Sequence, residues 1–125
     1  MNPIIAIALG GAFGAVMRYL CVEAITRLWG SGFPMGTMIV NVLGSFTMGL
    51  ALIWFLEKSA DARVSVFLIT GVLGGFTTFS AFSADTLMLV ERGKMLAASG
   101  YVAGSVGLSL MAVFAGAWIM RSVLA

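Results

Sequence analysis

Four long apolar runs, separated by short polar or glycine-rich breaks, make up nearly the whole chain. The first covers about 3–28 and carries Arg18 and Glu23 in its second half. Trp29-Gly-Ser-Gly-Phe-Pro34 ends it, because glycine and proline together disfavour continued helix, and Trp29 and Phe33 suit a membrane–water boundary. The second covers about 35–56 and holds one strongly polar side chain, Asn41. Residues 57–63 are the most polar stretch and read as a loop. The third run covers about 64–90, a charged turn occupies 91–94, and the fourth run covers about 95–124 with Arg121 near its end. A helix crossing a bilayer needs about 20 consecutive apolar residues. The pattern therefore predicts an all-α membrane protein, with residues 1–125 forming a single four-helix transmembrane domain in an up-down-up-down arrangement.

Composition strengthens that reading. Hydrophobic residues make up 61% of the chain and charged ones 10%, and the mean hydropathy is +1.09. A soluble domain carries about 25% charged residues, so too little charge is present here to cover a water-facing surface. The N-terminus has no basic region before its apolar run, and the run reads as a first span and not as a removable signal. Cys21 is alone, histidine is absent, and a net charge of +2 is no nucleic-acid signature.

Charge also bears on orientation. With four spans, Lys58, Arg63 and Arg121 lie on one side of the membrane and Arg27, Arg92 and Lys94 on the other. Cytoplasmic loops ordinarily carry the excess of Lys and Arg. Equal numbers give no preferred orientation, and a chain without preference can insert both ways and pair with an inverted copy.

Every span contains small residues four apart: Gly10 and Gly14, Ser45 and Gly49, Gly71 and Gly75, Gly100 and Gly104. Such residues let helix backbones approach closely in lipid, and packing is the plain reading of them. In the third span the paired glycines Gly74 and Gly75 precede Thr77 and Thr78, which weakens the helical ladder and predicts a break near mid-membrane. Broken backbone at that depth is tolerated where it is buried in protein or lines a water-filled space, and such breaks hold ions in transporters. Freed carbonyls there suit a hard cation such as Na⁺.

Phe76, Phe79 and Phe82 recur every three residues, interleaved with Thr77, Ser80 and Ser83. A phenyl stripe is ordinarily packing or lipid-facing material. Ring edges are positive, however, and beside a row of hydroxyl donors they can surround an anion without any fixed charge. Tyr101, Ser105 and Ser109 share one face of the fourth span at i, i+4, i+8, and Asp85 stands where it can bond a hydroxyl such as that of Tyr101. Asn41 either joins helices or lines a pore entrance. Arg18 either sits in a vestibule, bonded to backbone carbonyls, or snorkels to the interface. No nucleophile–base pair, metal-ligand cluster or phosphate loop is present, so no enzyme is expected.

The sequence resembles the Fluc/CrcB family of fluoride channels. Gly74-Gly75-Phe76-Thr77-Thr78-Phe79-Ser80-Ala81-Phe82-Ser83 carries the likeness, supported by Gly36-Thr37-Met38-Ile39-Val40-Asn41 and Gly14-Ala15-Val16-Met17-Arg18. The resemblance implies an antiparallel dual-topology homodimer in the bacterial inner membrane, with two pores near the subunit interface. It implies that Phe79 and Phe82 meet fluoride, that Asn41 lies at the pore, and that Tyr101, Ser105 and Ser109 form a hydroxyl track. Ser80, Ser83 and Asp85 would border the same path, and Arg18 would shape the vestibule. Gly74 and Thr77 would give backbone carbonyls to a structural Na⁺ at the dimer centre. The family often has Glu where this chain has Asp85, one methylene shorter. Two other classes compete with the channel. One is a small multidrug-type, proton-coupled cation exporter, which wants a carboxylate deep in the first helix, whereas Glu23 lies near the end of that span. The other is a non-transporting membrane subunit, in which the phenylalanine and hydroxyl rows only pack.

Overall fold

Residues 2–125 are described by a computed structural model, and among them every element of secondary structure is helical. Helix α1 (Pro3–Trp29) starts where Asn2 accepts a 2.8 Å hydrogen bond from the Ile4 amide and Pro3 occupies the first helical position, which needs no N–H partner. It ends at Gly30, whose φ of 88° turns the chain into the loop. Helix α2 (Met35–Lys58) follows, and Ser59 in the left-handed region closes it. Asp61 caps the third span by accepting from the Arg63 amide at 2.8 Å.

The third span is not one uniform helix. A single α-turn, α3 (Ala62–Ser65), passes into a π-helical segment, Val66–Leu73, and a short α4 (Gly74–Phe76). Thr77 and Thr78 are extended, with ψ of 156° and 123°, and α5 (Phe79–Glu91) resumes the helix. A turn at Gly93, φ 74°, leads into α6 (Met95–Leu124). Four stretches, Pro3–Trp29, Met35–Lys58, Ala62–Glu91 and Met95–Leu124, are long and apolar enough to cross a membrane.

Backbones approach one another most closely at two seams. In the first, α1 lies on the π segment. A Cβ on Gly10 would stand 2.6 Å from the Phe67 carbonyl oxygen, one on Gly75 would stand 2.6 Å from that of Gly11, and one on Gly14 would overlap the Val72 carbonyl. The wider π-helical turn brings Gly71 and Gly75 onto the side that faces Gly10, Gly11 and Gly14. In the second seam, α2 meets α6. There Gly49 lies against the Val113 carbonyl and Gly116 against that of Phe46.

The fourth span's expected pair plays no such part. Nothing lies within 4 Å of a Cβ built on Gly100, and Gly104 meets only the flexible end of Met38. Spacing four apart marks a face on which small residues recur, but it does not say whether another backbone lies opposite. Large apolar side chains such as Leu9, Leu96, Phe114 and Trp118 point outward along the helices, as expected of a surface solvated by hydrocarbon.

Candidate functional site

The site is built around Thr77 and Thr78. In an unbroken helix the Thr78 amide would donate to the Gly74 carbonyl and the Ala81 amide to that of Thr77. Both donors go elsewhere. Thr78 N–H donates to Asn41 Oδ1 at 2.8 Å, and Ala81 N–H donates to Thr78 Oγ1 at 3.1 Å. The carbonyls of Gly74 and Thr77 thus lose their helical donors. Asn41 Nδ2 in turn donates to the Thr78 carbonyl at 2.9 Å, so one side-chain amide bonds both backbone groups of one residue. Arg18 Nε donates to the Gly75 carbonyl at 3.1 Å. This is the carbonyl-bonded alternative for Arg18, tying α1 to the residue three before Thr78. Thr77 Oγ1 bonds back to Leu73, and its methyl seats against Gly44.

A cavity of about 350 Å³ opens beside this interruption, between α2, α5 and α6. Asn41, Thr77, Phe79, Phe82, Ser105 and Ser109 all border it, and none of its lining residues is charged. Phe82 is buried, whereas Phe79 is 77% exposed and forms the outer lip. Their rings are tilted at 58° with centroids 5.4 Å apart. Phe82 also stacks on Tyr101 at 5.3 Å, and Phe33 meets Tyr101 edge-on at 5.5 Å. An aromatic row therefore runs from the cavity to the first loop.

The α6 hydroxyls divide along their common face. Tyr101 is fully buried and donates to Asp85 Oδ2 at 3.0 Å, so the shorter carboxylate does reach it. The hydroxyl of Ser105, buried at the cavity wall, has no hydrogen-bond partner. A buried polar group without a partner is unusual and calls for a reason. It is the one such side-chain atom among the described residues, and its residue borders the cavity. Ser109 continues the wall. Asp85 itself borders a second pocket of about 130 Å³, shared with Arg92 and Ser31.

Ser80 and Ser83 are not brought into the cavity wall. Both are exposed; Ser83 bonds back to the Phe79 carbonyl at 3.0 Å, and Ser80 lies 3.3 Å from the Thr78 hydroxyl. The period-three aromatic stripe holds only for Phe79 and Phe82. Two extended residues separate Phe76 from them, so helical spacing does not carry across, and Phe76 packs against Gly44 instead. At the break expected around Thr77 and Thr78, the Thr78 hydroxyl caps α5 by accepting from the Ala81 amide. Thr37, buried in α2, faces the Tyr101 phenol, a pairing with no local signal in the sequence.

Residues 5–117 match the family described as "CrcB-like protein, Camphor Resistance (CrcB)". A fluoride-specific ion channel, FluC, of Rhizobium meliloti is 48% identical over 124 residues, covering 98% of this chain and 99% of that protein. A fluoride-specific ion channel FluC of Cereibacter sphaeroides is 50% identical over 125 residues, covering 100% and 99%. Another, of Roseobacter denitrificans, is 49% identical over 125 residues, covering 98% of each chain. Matched along almost its whole length by the family and by these relatives, the chain belongs to the CrcB-like family.

Proposed function

We propose that this chain is a fluoride-selective channel, not an enzyme, that lets F⁻ leave the cell passively and so lowers its internal concentration. The observation that carries the reading is the uncharged cavity in which an amide, serine hydroxyls and two phenylalanine rings converge on the interruption of the third span. Fluoride is small and strongly hydrated, so its main barrier is loss of water. Hydroxyl and amide donors with positive ring edges replace that water in steps, and the absence of Lys and Arg from the wall keeps binding weak enough for release. Larger chloride accepts weaker hydrogen bonds and fits a narrow path poorly. The names of the relatives above favour the same ion.

The working unit under this proposal is an antiparallel, dual-topology homodimer in the bacterial inner membrane, with two pores. The exposed lip at Phe79 and the equal count of cations on the two sides support an inverted second copy as the missing wall. The interruption at Thr77–Thr78 then lies near the membrane midplane. The Gly74 and Thr77 carbonyls, deprived of their helical donors, have the chemistry to hold a Na⁺ at the dimer centre, two from each copy. That ion would supply positive charge to groups otherwise costly to bury. Phe79 and Phe82 line the ion's path, Asn41, Ser105 and Ser109 offer it hydrogen bonds, and Tyr101 with Asp85 continues the polar edge of α5 and α6. Arg18, anchored on Gly75, shapes the entrance.

The test is efflux from liposomes loaded with KF or KCl, followed with ion electrodes after valinomycin. Rapid loss of fluoride without chloride is expected, and no fluoride loss from folded protein overturns the proposal. Phe79→Ile and Phe82→Ile should each cut fluoride efflux by about tenfold, the worth of one aromatic contact, while the dimer persists. Unchanged flux in both would remove the rings from the mechanism.

A further inference from the structure

We infer that Asn41 is a positioning residue whose main task is to hold Thr78 extended, and thereby to direct the Gly74 and Thr77 carbonyls and the Phe79 ring. The inference rests on the channel reading for what those groups then do, but its own support is geometric. Asn41 and Thr78 lie 37 positions apart in sequence, on different spans, yet two hydrogen bonds of 2.8 and 2.9 Å join them in a closed pair. A single side-chain amide has two donor hydrogens and a carbonyl oxygen. One hydrogen and one lone pair are committed to the backbone, as a neighbouring strand would be.

This pairing answers an energetic problem local to the chain. An extended residue inside an apolar span leaves its N–H and C=O without helical partners, and each unsatisfied group costs several kcal/mol in hydrocarbon. At Thr78 both groups are satisfied by Asn41 alone. Satisfying them from α2 removes the Thr78 amide from Gly74, so the carbonyl that would have been consumed is released. The released carbonyl and the angle at which α5 leaves the interruption are two consequences of one contact. Phe79 is the first residue of α5, so the position from which its ring extends depends on Thr78. Arg18, bonded to Gly75, steadies the other flank but leaves the Thr78 groups untouched.

If instead Asn41 acts mainly by touching the passing ion, its removal would change flux and leave the Thr78 backbone as it was. Amide exchange followed by NMR in reconstituted protein separates the two accounts without relying on transport. In Asn41→Ala the Thr78 amide should exchange roughly tenfold faster or more, the equivalent of losing one such bond, while amides in α1 and α6 keep their protection. Asn41→Asp, protonated at low pH, offers an oxygen to the Thr78 amide and an O–H to its carbonyl and should keep that amide as slow as in wild type at the same pH, which provides the test if the alanine variant does not fold. Na⁺ held by the released carbonyls should raise thermal stability in NaCl over KCl, and that rise should shift to about tenfold higher NaCl in Asn41→Ala and stay in place in Ser80→Ala. Unchanged Thr78 exchange in Asn41→Ala, or fast exchange in protonated Asn41→Asp, overturns the inference. Wild-type protein without fluoride efflux would instead overturn the channel reading and leave the exchange result standing.

Discussion

Two sides of the third span meet their neighbours in opposite ways. Before Thr77, the π segment and α4 lie on α1 backbone to backbone, with glycines from both partners interlocked. After Thr78, α5 stands away from α2, and aromatic rings and hydroxyls surround a cavity of about 350 Å³. The first side admits nothing larger than hydrogen at its closest contact points. The second leaves a buried serine hydroxyl without a partner. The contrast shows that one span can join two packing regimes when its helix is interrupted between them. Tight glycine contact and the Arg18 bond to Gly75 hold the first half fixed, and the Asn41 hydrogen bonds brace the interruption itself.

The most direct way to break the comparison is to fill the tight side. Gly14→Val places a side chain into the Val72 carbonyl and should cost about 3 kcal/mol, the upper range for overpacking. Loss of monodisperse, helical protein in detergent is the readout, and a normally folded variant would mean that this seam yields more readily than its geometry indicates. Next comes the side-chain brace on the tight side. Arg18→Met keeps an apolar stem but drops the bond to Gly75, a bond to a charged group worth about 2 kcal/mol. Its melting temperature should fall, and an unchanged melt would show that the interruption holds itself.

The open side should respond with the opposite sign. Ser105→Ala removes a hydroxyl that is buried and unpartnered, so stability should rise by about 1 kcal/mol while fluoride efflux drops. A loss of both would mean the hydroxyl is structural. The smallest effect sharpens the contrast among glycines. Gly107→Ala enters open space and should change stability by no more than about 1 kcal/mol, in the favourable direction given alanine's helix preference. Thermal melts of Gly14→Val and Gly107→Ala in parallel would give the comparison its scale.

Much of the fold could be read from the run lengths of apolar residues. The four membrane-length helices fall between the glycine–proline break at 29–34, the polar loop at 57–63 and the charged turn at 91–94. Part of the site could be read for the same local reason. Tyr101 and Ser105 share a buried face because residues four apart lie one turn apart on any helix. Asp85 bonds Tyr101 because both spans run back from one short turn. Periodicity failed where the helix did. Phe76 matches Phe79 and Phe82 in spacing but not in space, since two extended residues intervene. It also failed for contact partners: Gly100 and Gly116 are equally small, yet only Gly116 has a backbone against it.

The sequence by itself determined the class of solvent, the number of spans and the residues able to bind without charge, because these follow from composition and from distances along one helix. Tertiary structure alone decided which glycines carry a seam, that the Ser105 hydroxyl is left free, and that Asn41 closes on the Thr78 backbone. Those outcomes depend on which atoms a second helix brings within about 3 Å, the range over which hydrogen bonds form, and spacing along one helix carries no record of that neighbour.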